Sequence, residues 1–391
     1  MAKLHISSTP HIHQKGSSTS RVMLDVVIAM LPAAIAGVVI FGFKALSTIF
    51  ACIFCSVMAE FFFNVFCGKA SISLVSPIGM ILSLIGQALI WLQSKFVDLS
   101  LGVTSSDFTS NIVRRNIILY EYYIVGIAGA IIAITGIALL TKKHNNDNQT
   151  VGDLSAVVTG LLLALNLSTN VPLWQCALGS IFAIVVVKGF FGGIGKNIVN
   201  PAIAARVLML LTFASTVAGG ATPVKPDIVA SATPLVTLNQ GADAAASIKL
   251  IDLVLGNYGG AIGETCAIAL LIGFIYLVAR KVIKWYVPAS FAATVFVCYL
   301  LFGGFNATFA LQHVLAGGLL LGAIFMATDY VTTPITGKGR VLFCVGAGLL
   351  TFAIRQFGSY PEGVSIAILT MNLLTPFISD WTKKKTLGGV K

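Results

Sequence analysis

Apolar residues in this chain come in runs of roughly 17–25, the length that crosses a ~30 Å hydrocarbon core. Such runs read at about 23–43, 46–66, 76–93, 122–141, 154–167, 173–187, 198–217, 259–279, 286–303, 309–327, 341–354 and 364–378. Each predicts one helical membrane segment; the third is the weakest, and the fifth and ninth are short or glycine-containing. One polar interlude breaks this pattern. Residues 225–238, KPDIVASATPLVTL, read as short, extended and accessible, with Thr233 between Ala232 and Pro234.

Composition agrees with a membrane protein. Of 391 residues, 57% are hydrophobic and 10% charged, against about a quarter charged in a soluble domain. The first 22 residues are polar and basic, without a signal-peptide core. Net charge is +11, which in a soluble chain would suggest nucleic acid. Here, threading the segments puts Lys3, Lys15, Arg21, Lys142, Lys143, Arg280, Lys281, Lys338 and Lys383 on one side. The other side receives fewer, among them Lys44, Lys225, Lys249 and Arg355. The basic excess predicts both termini in the cytoplasm and residues 218–258 on the outer face of the membrane. The seven cysteines lack metal-ligand spacing, and all but Cys67 sit inside apolar runs, so packing is their expected role and no metal is expected. No P-loop or dinucleotide fingerprint occurs.

The chain hints at duplication. DLSAVVTGLLLALNL (153–167) resembles LQHVLAGGLLLGAIF (311–325). Each precedes one helix and then a glycine turn with another helix, FGGIGKNIVNPAIAARVLML (191–210) and FGSYPEGVSIAILTMNLL (357–374). Odd-numbered halves would be inverted, with the working site at short or broken helices between them. The expected organisation is a cytoplasmic segment 1–22, a first repeat 23–217 with an insertion at about 70–150, an outer loop 218–258, a second repeat 259–379 and a basic tail 380–391.

Ionisable groups inside apolar runs are costly and point to function. Glu60 lies in SVMAEFFFNVF, and Glu264 is expected a few residues into its helix; both are candidates for an intramembrane ion path. Arg206 is expected to pair with Glu60 or Glu264. Asp25 and Asp153 are placed at helix starts, with capping expected for Asp153. In GGIGKNIVNPA, Gly192 and Gly193 permit close backbone approach, and Asn197 and Asn200 offer amides before a Pro-initiated helix; a packing turn is the equal alternative. Asp329, Thr332 and Thr333 form a candidate ion entry, or Asp329 pairs with Lys338 or Arg340.

HISSTPHIHQKGSSTSRVMLDVVIAMLPA, DLSAVVTGLLLAL, GGIGKNIVNPAIAARV, DIVASATPL, ATDYVTTPITGKGR and FGSYPEGVSIAILTMNLLTPFISD together resemble the D subunit of the Rnf electron-transport complex. The B subunit of the sodium-pumping NADH:quinone reductase shares the pattern. The resemblance covers most of the chain, excepting 70–150. It implies an all-α polytopic membrane fold of two inverted five-helix repeats, urea-transporter-like, to which the insertion adds up to two helices. It implies a multi-subunit complex (with A, B, C, E and G subunits) passing electrons from ferredoxin to NAD while moving Na⁺ or H⁺ outward. It implies an FMN joined through its phosphate to a threonine by a separate FAD-dependent flavin transferase, and a second, non-covalent flavin, riboflavin.

The acceptor pattern falls on Asp227, Ser231, Ala232 and Thr233, followed by Leu235. The residues fit it physically. A hydroxyl entering another enzyme's site needs an accessible segment with small neighbours, and Pro234 disfavours helix at Thr233. Lys225, with Arg355 or Lys249, would offset the phosphodiester charge. Thr222, in GGATP, is a rival lacking the preceding Asp and the following Leu. A cofactor-free solute channel or permease of the same fold is the alternative reading.

Overall fold

The computed structural model describes residues 19–67, 75–102, 127–137, 150–217, 234–241, 245, 248–358 and 362–383. Among these residues the chain is all-helical. Every apolar segment read from the sequence carries one helix or one bent pair. The elements are α1 (Thr19–Phe41), α2 (Phe43–Phe66), α3 (Val75–Gly102), α4 (Ile127–Ile137), α5 (Ser155–Leu165), α6 (Leu173–Gly189), α7 (Pro201–Thr212), α8 (Ala267–Ala279), α9 (Tyr286–Phe302), α10 (Ala307–Leu315), α11 (Leu319–Met326), α12 (Gly337–Phe357) and α13 (Val364–Thr382). Four of them, α1, α2, α12 and α13, are long and apolar enough to cross a membrane alone, and α10 with α11, bent by 66° at their break, forms a fifth span or a re-entrant loop.

The short helices explain where polar residues can hide. At 1.5 Å per residue, the 11 residues of α5 and the 12 of α7 reach only about 16–18 Å, roughly half of a bilayer core. The C-terminal end of α5 and the N-terminal end of α7 lie buried in the protein, where each backbone group needs a partner. The turn at 259–265 supplies partners for α5. Its Ile262 and Gly263 amides donate to the carbonyls of Leu167 (3.0 Å) and Leu165 (2.8 Å). A Cβ on Gly263 would stand 2.6 Å from Cβ of Leu165, so only glycine lets this turn seat. At the α10 break, Gly317 takes φ +71°.

Two clusters of helices share one core. α2 packs against α5 and α6, α9 against α10 and α12, and α13 against α12 and α7. α1 and α8 join the two groups, with Asp25 accepting from the Tyr276 hydroxyl (2.9 Å) and from Arg280 (3.3 Å). α3, the segment weakest in sequence, is a 28-residue helix. It lies beside α4 at glycine contacts: a Cβ on Gly86 would meet the backbone of Ala133 and Gly129 at 2.5 Å. The pair attaches to α2 through Phe50, Ile90 and Ala133 and through the Gln87 amide on the Ser47 carbonyl (3.0 Å).

Several expectations are corrected here. Asp25 sits inside α1 rather than at its start, buried against α8. The N-cap position of α5 is held by Leu154 in a left-handed conformation (φ 62°), not by Asp153, which ends a short 3-10 turn. Glu264 lies in the turn ahead of α8, not within the helix. Arg355 belongs to the last turn of α12, not to an outer loop. Cys52, Cys176 and Cys344 are buried and all seven cysteines are free thiols, as packing requires.

Candidate functional site

Three half-length elements end near one another: the C-terminus of α5, the α10 break and the turn before α13. Their loose polar groups are gathered by two buried arginines. Arg206, from α7, donates to the Asn166 side chain (2.5 Å) and forms an ion pair with Glu362. Arg355 donates to the carbonyls of His313 (2.6 Å), Ala316 (3.2 Å) and Glu362 (3.1 Å). Glu264 accepts from the Ala261 amide through Oε1 (2.9 Å), while its buried Oε2 has no partner. A Cβ on Gly318 would lie 3.4 Å from that Oε2 and 3.6 Å from Arg206. Glycine there keeps the carboxylate and the guanidinium open to the break.

Arg206 is thus bound to Glu362, not to Glu60 or Glu264. Arg355 entered the sequence reading only as an alternative counter-charge for the flavin phosphate, and Glu362 did not enter it. The usable signal for Glu362 was its position in the second copy of the glycine-turn-helix pattern. Arg355 has three carbonyls to satisfy and is fully buried, so it is not the counter-charge for a flavin phosphate.

A second cluster lies at the other end of α5, between α2 and α6. Glu60, in the last two turns of α2, accepts from Lys188 (2.7 Å) and Thr150 (2.6 Å) on Oε1. Lys188 also donates to Ser155 (2.6 Å), and Asn64 to Thr150 (3.0 Å). Lys188 belongs to a π-helical stretch, Phe182–Gly189, a form frequent at functional sites. The partner of Glu60 was not foreseen, since the sequence offered Arg206 for it.

The glycine–asparagine loop is divided. Gly192 and Gly193 line a cavity of about 210 Å³ with Glu60, Asn64, Thr150, Asp153 and Lys188. Asn197 and Asn200 line another, of about 110 Å³, with Asp329, Thr159 and Lys188. Asn200 also caps α7, its side chain accepting from Ala202 (3.0 Å) and Ile203 (3.4 Å). With its amide oriented to satisfy its neighbours, Asn372 of α13 accepts from the Asn200 N–H and donates to the Thr332 carbonyl, each at 3.2 Å. The asparagine loop and the threonine loop are therefore tied together. Asp329 pairs with neither Lys338 nor Arg340: it accepts from the Val331 amide and the Thr332 hydroxyl, both at 3.2 Å. Thr333 donates to the Asp329 carbonyl (2.5 Å). Thr332 and Thr333 thus shape the loop rather than line the cavity. Burial pushes the Asp329 carboxyl above its ordinary range, partly opposed by those two hydrogen bonds.

Asp227, Ser231, Ala232 and Thr233 lie outside the described residues. The chain resumes at Pro234, and there the extended reading fails: Pro234–Leu238 is a helical turn with Pro234, Leu235 and Leu238 buried. Gly317 seats it, since a Cβ there would stand 3.3 Å from Leu235 and 3.1 Å from Arg355. The next residue, Asn239, donates to the Arg355 carbonyl (3.2 Å).

Comparison with known proteins places this architecture. The sequence model of the NQR2, RnfD, RnfE family matches residues 5–92 and 115–388. The chain belongs to the NQR2, RnfD, RnfE family. It is similar to the D subunit of the Na(+)-translocating ferredoxin:NAD(+) oxidoreductase complex of Acetobacterium woodii, 35% identical over 391 residues, 99% of this chain and 96% of the relative. It is similar to the D subunit of the proton-translocating ferredoxin:NAD(+) oxidoreductase complex of Clostridium ljungdahlii, 38% identical over 68% of this chain and 83% of the relative. A third relative is the D subunit of the ion-translocating oxidoreductase complex of Escherichia fergusonii, 33% identical over 67% of this chain and 86% of the relative. The family match takes in α4 and α3 through residue 92, so it reaches further than the motifs alone, and only 93–114 fall outside it between its two segments.

Proposed function

We propose that this chain is the D-type membrane subunit of an ion-translocating ferredoxin:NAD(+) oxidoreductase complex. The observation that carries the reading is similarity along 99% of the chain to a relative so named. The buried charged clusters at half-helix ends support it, because transport sites gather where helices break. The reading includes two inverted five-helix halves, α1–α2–α5–α6–α7 and α8–α9–α10/α11–α12–α13, with α3 and α4 added to the first. It puts both termini on the cytoplasmic side and residues 218–258 outside, in a complex with A, B, C, E and G subunits.

In this reading FMN is joined by phosphodiester to Thr233 by a FAD-dependent flavin transferase, with Asp227, Ser231 and Ala232 presenting the hydroxyl. Pro234 and the buried turn behind it anchor the acceptor segment to the α10 break. Lys249, exposed at the start of Leu250–Leu255, would be the phosphodiester's cation. When bound, the flavin supplies electron transfer at the outer side, and a non-covalent riboflavin is the expected second carrier. The chain's own residues bind and orient: Glu60, Glu264 and Asp329 hold positive charge along the inside, and the packed apolar core excludes water between their sites.

Co-expression with the flavin transferase, followed by a denaturing gel under ultraviolet light, tests the reading. The band should fluoresce, and Thr233→Ala should abolish the fluorescence. A dark wild-type band would favour the cofactor-free permease. Fluorescence persisting in Thr233→Ala would move the tether to another residue, Thr222 first.

A further inference from the structure

Lys188 stands between the two cavities. It lines the larger one with Glu60, Asn64, Thr150 and Asp153, and the smaller one with Asn197, Asn200 and Asp329. Its ammonium rests on Oε1 of Glu60 and on Ser155, at 2.7 and 2.6 Å. Thr150 donates to the same oxygen. Oε2 of Glu60 is buried and receives no hydrogen bond. One carboxylate oxygen is thus saturated while the other is bare, so the site is built for a cation but incompletely used by the one it holds. The bland account, a static ion pair pinning α6 to α2, leaves that oxygen and the paired cavities unexplained.

We propose that Lys188 is a tethered resident cation, which fills the Glu60 site and swings toward the Asp329 cavity when a small monovalent cation takes its place. Exchange is one for one. Two cations on one carboxylate would repel, and a vacated Glu60 would be a buried, unpaired charge. Asp329 receives the displaced ammonium: each of its oxygens accepts one hydrogen bond and retains lone pairs. Glu60 keeps one cation throughout, and the positive charge that the entering cation adds is matched by the Asp329 carboxylate, now paired with Lys188. The inference rests on the ion-translocating reading, which leaves Lys188 without a role.

The test uses the purified whole complex, with thermal unfolding followed by tryptophan fluorescence. In Lys188→Met the melting temperature should rise with NaCl but not with choline chloride at equal ionic strength. Wild type and Lys188→Arg should show the same preference for NaCl much more weakly, because the tethered cation competes for the site, and Lys188→Met with Glu60→Gln should lose the response. If protons are the exchanging cation, lowering the pH should stabilise Lys188→Met while Na⁺ does not; the ionisable neighbours are Glu60, Asp153 and Asp329. Indifference to both cations would overturn the proposal. So would a Lys188→Met complex that fails to assemble in NaCl while the double variant assembles. Ser155→Ala keeps the ion pair but releases one anchor of the ammonium. It should lower the activating cation concentration for turnover about tenfold, the weight of one hydrogen bond to a charged group; an unchanged requirement would refute the exchange. Wild-type vesicles that move no cation would remove the translocation reading, yet leave the thermal result for Lys188 standing.

Discussion

The charged residues of this chain are unequal, and burial decides which matter. Arg280 is half exposed where it meets Asp25, so water and salt screen the pair and it contributes little. Arg206 is nine-tenths buried and leans on Glu362 and Asn166. Removing Glu362 strands a buried guanidinium, at a cost of about 3–5 kcal/mol. Glu362→Gln should therefore lower the melting temperature sharply in any salt, while Arg280→Ala should lower it slightly and only at low ionic strength. Equal effects would refute the ranking.

Asp329 gives a pH prediction at the same scale. Its carboxyl titrates above the ordinary range because burial opposes its charge. A raised folded-state value favours the protonated form in the fold. That contribution is whole below the ordinary carboxylate range and is lost as pH rises through the raised value. Asp329→Asn keeps an oxygen for the Val331 amide, and its NH2 can donate to the Thr332 hydroxyl, which turns from donor to acceptor. It should be nearly neutral at about pH 4 and stabilising at about pH 8, read as melting temperature against pH.

At the scale of elements, helix ends rather than helix faces set the design. α5 stops inside the protein and hands its last carbonyls to the 259–265 turn. Gly263 makes that handover possible, and Gly263→Ala would drive a methyl into Leu165. The backbone must then retreat, with hydrogen bonds lost to both Leu165 and Leu167. We expect a destabilisation of about 2–4 kcal/mol, seen as a lower unfolding midpoint. A Gly304→Ala control, at an open position of φ +65° with nothing nearby, should cost only its backbone strain, about 1–2 kcal/mol. An equal or smaller loss at Gly263 would show that the turn does not cap α5.

At the scale of the whole molecule, two helix groups meet along α1 and α8, and the glycine–asparagine and threonine loops are joined through Asn372. Long apolar runs committed the chain to membrane helices wherever they occurred. An apolar run in hydrocarbon has no other way to satisfy its backbone, so every segment was legible, down to α3. Pro201 after Asn200 announced a helix start, and a capped helix starts there. Thr233 is proposed from the family's acceptor pattern together with its small neighbours, and it lies outside the described residues. Pairing was a different matter. Glu60 lies 128 residues from Lys188, and Arg206 lies 156 from Glu362. No local pattern selects between such partners, because a carboxylate attracts every cation alike and helix crossing decides which one arrives. The sequence thus determined where helices form and which residues carry charge into them. Only the tertiary structure decided that Glu60 meets Lys188, that Arg355 serves backbone carbonyls, and that one loop is shared between two cavities. Those outcomes depend on close packing of half-length helices, whose ends must find partners wherever the fold happens to bring them.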